Sequence, residues 1–315
     1  MKCIICEGPI NFLDDYKFNL NSDKDYFGDL KIYHCTNCDF AFTNPQPERK
    51  KLDDYFKSIY RSGARHHEIS DNYHLEYLSD RNLSYFSYLS SFINFEKVKN
   101  IFDYGAGNGN LGYLIKKKFN HINLSAIELG EVNRSILEKR QFKLYSDFDQ
   151  IDEKFDLIIS TRAIQQLSDL KIFQLFKRIS HENTFIFLDI PNNEFKNKFL
   201  ERPYDTPGLI FFTKKSFSNI EKKFNLDIKN ISYSSYSIDQ AYQYMRESQK
   251  KVEFHNKNFF LNLKKIIKKL IPSIFFKIKF ISYQSRQRDK LIEEFMLNKT
   301  DSWMLKVLFK WKKKI

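Results

Sequence analysis

Between residues 98 and 190, short apolar runs alternate with segments whose apolar positions recur every three or four residues. The runs VKNIFDY (98–104), INLSAIE (122–128), FKLY (142–145), FDLIIST (155–161) and TFIFLDI (184–190) have the length and the β-branched and aromatic content of buried strands. Segments 110–119, 131–140 and 169–180 between them read as helices. Strands separated by helices of that length require crossover connections, so the pattern predicts a parallel sheet wound with helices on both faces.

The flanks differ from this centre. Segment 46–95 is polar and aromatic, and its Tyr73, Tyr77, Tyr85 and Tyr88 fall at or near helical spacing, which predicts a helix lying on something larger. Beyond residue 235, Leu263, Ile266, Ile267 and Leu270 share one helical face with Lys264, Lys265, Lys268 and Lys269 on the other, and Pro272 is expected to end or kink that helix. The terminus repeats the theme: Trp303, Met304, Val307, Leu308 and Trp311 predict an apolar stripe opposed by Lys306, Lys310, Lys313 and Lys314. Four regions result, without internal repeats: a cysteine module (1–45), a helical connector or lid (46–95), an α/β domain (96–235) and a basic, mostly helical extension (236–315).

Composition changes this picture in two places. With 42% hydrophobic and 17% aromatic residues, the chain can bury a large core, so disorder is a poor default. The net charge of +13 is concentrated at one end, where residues 251–315 carry 17 Lys/Arg against 5 Asp/Glu, a surplus of 12. No apolar stretch reaches the roughly 18–20 residues of a membrane span, and the start MKCIICEGPI lacks a secretory apolar core, so a cytoplasmic location is expected.

The first strand ends in Asp103-Tyr-Gly105-Ala-Gly107-Asn-Gly109, and a helix-like run follows directly. Glycines there permit positive φ and close approach of backbone to a ligand, and a helix start presents unpaired N–H groups. The second strand ends at Glu128, where a carboxylate can accept hydrogen bonds from both hydroxyls of a ribose. Strand, glycine loop, helix, strand and terminal acid therefore come in the order that a nucleoside-binding crevice needs.

In these residues the chain resembles the class I S-adenosylmethionine-dependent methyltransferases, whose first motif, acid-x-Gly-x-Gly-x-Gly, is filled by Asp103, Gly105, Gly107 and Gly109. The resemblance implies a Rossmann-like methyltransferase sheet with S-adenosyl-L-methionine as cofactor. Asp103 then lies near the methionine end, the glycines pass beneath the cofactor, and Glu128 holds the ribose. Leu129 packs on the adenine face, Asp147 accepts from the adenine amino group, and Phe148 offers a neighbouring N–H.

All four cysteines fall in Cys3-x-x-Cys6 and Cys35-x-x-Cys38. Each pair can point two thiolates at one ion, which suits a closed, structural zinc site in a ribbon-like module; an iron–sulfur cluster and a pair of reactive thiols are the alternatives. This module, followed by the aromatic stretch FAFTNPQP…LDDYF…IY and the α/β domain, is similar to methyltransferases of sugar and surface-polysaccharide pathways, including sugar C-methyltransferases. The resemblance implies a small-molecule or glycan acceptor.

Where such relatives carry Glu-His after strand four, this chain has Gln165-Gln166, and Gly208 and Leu209 stand where a histidine often precedes Phe-Thr. The general base is therefore unassigned; His66, His67, Tyr204 and Asp205 are the candidates, and Arg81 is a candidate partner for the cofactor carboxylate. Three roles are open for the basic segment 257–315: packing on the core, peripheral contact with an anionic membrane, or nucleic-acid binding. The last would fit an RNA methyltransferase, and the missing histidines would fit a non-catalytic protein on the same scaffold.

Overall fold

The computed structural model describes residues 2–18, 21–60, 77–194, 208–233 and 304–312. One compact unit comprises Met1–Ser232 with Met304–Ile315; a second, Tyr233–Trp303, lies almost wholly outside the described residues.

The predicted apolar runs form β4 (Asn100–Tyr104), β5 (Asn123–Ile127), β6 (Phe142–Tyr145), β7 (Phe155–Thr161) and β8 (Ser180–Pro191). These five strands are mutually parallel, in the order β8-β7-β4-β5-β6. The intervening helices are α4 (Asn110–Lys118), α5 (Glu131–Lys139) and α6 (Ile172–Arg178). Helices cover the sheet, so its central strands are buried on both faces: Ile101, Phe102, Leu157, Ile158, Ile159, Ile186, Phe187 and Leu188 are sealed from solvent. After β8 come β9 (Ile210–Phe211), α7 (Lys214–Phe224), held at its start by a reciprocal Thr213–Ser216 cap, and β10 (Leu226–Tyr233).

The structure corrects the reading of the terminus. Met304–Trp311 is a strand, β11, inserted between β8 and β10 and antiparallel to β8, and not an amphipathic helix. The residues at helical spacing misled because Leu305 and Phe309, which a helix would turn toward its lysine face, are apolar as well. An inner strand buries both faces, and Met304 to Phe309 are all buried, Lys306 among them. Lys306 sits directly opposite Asp189 of β8. The predicted helix around Leu263–Leu270 and the rest of the basic segment lie outside the described residues. No helix among the described residues is long and apolar enough to cross a membrane.

The cysteine module forms a second sheet. Its strands β1 (Ile10–Asp15), β2 (Lys31–Cys35) and β3 (Ala41–Asn44) pair antiparallel in sequence order, and β9 from the α/β domain pairs with β3 as the fourth strand. The helix α1 (Asn21–Phe27) joins β1 to β2. In the connector, α2 (Arg49–Asp54) runs into a π-helical turn, Tyr55–Ile59, and α3 (Asp80–Ser90) leads to β4. Phe27, Ile32 and Ala41 of the module, Leu52 and Tyr55 of the connector, Leu209 beside β9 and Phe211 within it belong to a single buried cluster. Tyr55 adds a buried hydrogen bond to Asp23, and the Gly208 N–H donates to the Tyr16 hydroxyl. The module is thus joined to the α/β domain by a shared core and a shared sheet.

Candidate functional site

From β4 the chain proceeds outward to β5 and β6, then returns to lay β7 and β8 on the other side of β4. Loops diverge where the order reverses, leaving a crevice beyond the carboxyl ends of the strands. A cavity of about 600 Å³ opens there, lined from the ends of β4 to β7, from α2 and the turn after it, and from α3.

The glycine loop is fixed from below. Gly107 and Gly109 adopt φ of 54° and 64°, a region costly for residues with a Cβ. At Gly109 a Cβ would come 2.5 Å from Leu137 Cδ2 and 2.6 Å from Phe142 Cζ, so this glycine lets α4 close onto α5 and β6. At Gly107 a Cβ would meet nothing within 4 Å, and this residue lines the cavity. Packing thus requires glycine at one position, whereas the other leaves backbone bare toward open space.

Glu128, following β5, faces the same loop. Its Oε2 accepts the Gly107 N–H at 2.7 Å, and its Oε1 accepts the Gly130 N–H at 2.8 Å and the Asn133 amide at 3.3 Å. Asp103 lines the cavity beside it, is 3% exposed, and leaves Oδ1 without a hydrogen-bond partner. Burial, with Glu128 nearby, pushes its carboxyl up to about 8. Leu129, Asp147 and Phe148 also line the cavity. Asp147 is partly committed, because its Oδ1 caps the short turn that follows, accepting the Asp149 and Gln150 N–H groups. The Phe148 ring is buried against Phe102, Tyr104 and Phe176.

The structure therefore brings Asp103, Gly105, Gly107, Glu128, Leu129, Asp147, Phe148 and Arg81 to one cavity, with Gly109 packed just behind it. His66, His67, Tyr204 and Asp205 lie outside the described residues. Among the described residues no histidine lines the cavity. Gln165 is buried and bridges its own turn, donating to the Arg162 carbonyl, while its carbonyl accepts from Leu209; Gln166 lines the cavity.

The four cysteines converge at the far end of the module. Their sulfurs all lie within 4.8 Å of one another, with Cys3–Cys38 at 3.6 Å and Cys6–Cys35 at 3.4 Å. A tetrahedron with metal–sulfur bonds of roughly 2.3 Å has edges of about 3.8 Å, so the spacing fits one ion, and it far exceeds a disulfide bond. The residue after the second cysteine of each pair, Glu7 or Asp39, adopts positive φ, and the two turns close by matching hydrogen bonds to the Cys3 and Cys35 carbonyls. Burial raises the Cys35 and Cys38 thiols, so a cation is needed to hold them as thiolates.

No family model matches this chain. No curated protein matches it either. Solved structures with similar folds include a coclaurine N-methyltransferase bound to N-methylheliamine and S-adenosylhomocysteine (16% identity, 72% of each chain covered, TM-score 0.42). Another is the O-methyltransferase of a trans-AT polyketide synthase multienzyme of Brevibacillus brevis, in complex with S-adenosyl-L-homocysteine (15% identity, 76% of each chain, TM-score 0.45). A third is a plantazolicin methyltransferase in complex with S-adenosylhomocysteine (13% identity, 83% of this chain and 94% of that one, TM-score 0.41). Likenesses this distant carry no argument about the reaction of this chain; its own strand order and crevice show the Rossmann-like fold.

Three features of the site were not identified from the sequence. Arg49, Leu52, Phe56 and Tyr60 of the connector form one wall of the cavity. Arg140 is buried beneath the glycine loop, donating to the Asn108 carbonyl and the Asn110 side chain at 2.5 Å each, with its guanidinium 4.7 Å from the Tyr113 ring centroid. Asp189, fully buried at the end of β8, accepts a 2.5 Å hydrogen bond from Tyr85 and faces Arg162 and Lys306. Burial draws Lys306 down to about 7, against the opposing pull of Asp189. A lone acid in the run TFIFLDI was the available signal for that cluster, but its partner Lys306 was hidden in a segment read as a helix.

Proposed function

We propose that the chain is an S-adenosylmethionine-dependent methyltransferase whose acceptor is a small molecule, with a sugar, nucleotide-sugar or glycan-linked group as the acceptor class. One observation carries the reading: a buried carboxyl with an orphaned oxygen, Asp103, shares a cavity with Gly107, beside which a side chain's worth of space is open, and with Glu128. A cation and a sugar diol are the groups that would satisfy such a set. The order of cysteine module, aromatic connector and α/β domain supports the acceptor class.

S-adenosylmethionine, when bound, supplies a methyl group activated on a sulfonium. Glu128 would hold the ribose hydroxyls, Asp103 would face the cationic methionine end, Leu129 would lie against the adenine, and Asp147 with the Phe148 N–H would read its edge. Arg140 keeps the glycine loop in place. Phe56, Tyr60 and Leu167 give the acceptor an apolar wall that excludes water. Gln166 does not titrate, so it can orient an acceptor without moving a proton, and positioning carries the transfer in this part of the site. Cys3, Cys6, Cys35 and Cys38 would hold a structural zinc ion. Of the basic terminus, residues 304–311 form a sheet strand that takes Lys306 and Lys310.

Glu128→Ala is expected to weaken S-adenosylmethionine binding by about 2 kcal/mol, roughly thirtyfold, measured by calorimetry. The loss is moderate because Glu128 already accepts two backbone N–H groups, and the ribose must share its oxygens with them. Unchanged affinity would mean that the ribose does not lie on Glu128.

A further inference from the structure

The cavity is polarised. Asp103, Glu128 and Asp147 stand at the ends of β4, β5 and β6, whereas Arg49, Arg81 and Arg162 come from α2, α3 and the end of β7. Arginine supplies only 12 of the 52 basic residues in the chain, yet every basic residue lining the cavity among the described residues is an arginine. In a lysine-rich protein that choice points to the guanidinium fork, which matches the two oxygens of a carboxylate or phosphate, and not to charge alone.

Charge does not close on the arginine side. Arg49 is engaged by Asp53 at 3.0 and 3.2 Å. Asp189 lies 4.0 Å from Arg162, opposite Lys306 in the sheet and near Arg81. Burial holds Lys306 back from its charged form, whereas both guanidiniums stay charged and reach the cavity. A methionine carboxylate can take Arg81; the Arg162 fork, met only by the 4.0 Å ion pair with Asp189, keeps donors for a second oxyanion.

Arg162 is the better placed for that second role. Its backbone sits at φ of 56°, an uncommon and strained conformation for a residue with a Cβ, and its N–H is tied to the Asp189 carbonyl at 2.7 Å. Its side chain, 49% exposed, stands above the buried Asp189 on the side that also carries Gln166 and Leu167. A strained backbone pinned to the Asp189 main-chain carbonyl, with a guanidinium delivered to a cavity, marks a group aimed at a ligand.

We propose that the methyl acceptor carries an oxyanion, a carboxylate or a phosphate, seated on Arg162. The inference rests on the cofactor occupying the Asp103–Glu128 half of the same cavity. In the test, the full-length protein is first titrated with S-adenosylhomocysteine, then the saturated complex is titrated with pyrophosphate, with succinate and with neutral glucose.

The expected result is binding of one of the two anions, and not of glucose, by the saturated complex; which anion binds distinguishes a phosphate-bearing from a carboxylate-bearing acceptor. Arg162→Gln should weaken that binding at least tenfold while the variant still takes up S-adenosylhomocysteine, which shows that it is folded. Arg162→Lys, keeping charge but losing the fork, should fall between. Failure of S-adenosylhomocysteine to bind wild-type protein would overturn the cofactor reading itself. Cofactor binding with neither anion bound at millimolar concentration, anion binding only in the absence of S-adenosylhomocysteine, or full anion affinity in Arg162→Gln would each overturn the acceptor proposal alone.

Discussion

Serine at both Cys35 and Cys38 is expected to strip one equivalent of zinc from the protein and to melt the N-terminal sheet together with one wall of the cavity. The four sulfurs converge at that end of the module, and its apolar cluster is small, so the ion supplies much of its folding free energy. The expected loss is on the order of 5 kcal/mol, a large share of a typical total of about 5–15 kcal/mol. The effect should spread, because β3 pairs with β9 and because Leu52 and Tyr55, which share the buried cluster, lie in the segment that delivers Arg49, Phe56 and Tyr60 to the cavity. Elemental analysis reads the metal, and hydrogen exchange at residues 2–44 and 208–213 reads the melting. An unchanged metal content and unchanged exchange would remove the structural-ion account; iron and visible absorbance in the wild type would replace zinc by a cluster.

Asp103→Asn should make the ligand-free protein more stable and the cofactor site worse, both in a pH-dependent way. Folding raises the Asp103 carboxyl to about 8 from its ordinary 3.8, so the folded state holds a proton that the unfolded chain releases. Its contribution is therefore fully present below the unfolded value and is lost as pH rises through the folded one. Asparagine carries no such penalty, and the variant should gain roughly 2–4 kcal/mol near pH 7 and little near pH 4. Binding runs the other way. A cationic ligand prefers the carboxylate, so wild-type affinity for S-adenosylmethionine should climb between pH 6 and 8 by as much as about tenfold per unit and then level off. The variant should bind at least about a hundredfold more weakly at pH 8 and show no such slope. Thermal melts and calorimetry at pH 4 to 9 measure both; a slope that survives in the variant would assign the proton to another group.

Much of the fold was legible because the central strands have long apolar runs punctuated by glycine and by end-of-strand acids. Asp103, Gly107 and Glu128 could be found together for the same reason: each is a local signal at a strand end, and parallel β4 and β5 bring strand ends to one edge. Where burial removes periodicity, the sequence misleads. In MLKVLFKW every residue from Met304 to Phe309 is buried in an inner strand, so a helical stripe can be drawn through it by choosing four of its six apolar positions. Arg49, Phe56 and Tyr60 were illegible for a different cause. Their role depends on how the connector docks on the sheet, and that docking is fixed by Tyr55 and Leu52 packing on Phe27 and Phe211, contacts between segments far apart in the chain. The Asp189–Lys306 pair was missed in the same way, since only the antiparallel register of β11 sets one opposite the other.

The most direct test of a nucleoside crevice at the carboxyl edge of this sheet is a crystal of the full-length protein soaked with S-adenosyl-L-homocysteine. The account predicts density lying across Gly107, with the ribose hydroxyls in hydrogen-bond contact with Glu128 and the amino group of the homocysteine moiety toward Asp103. Density elsewhere, or an empty crevice at saturating ligand with Glu128 still closed on Gly107 and Gly130, would contradict it.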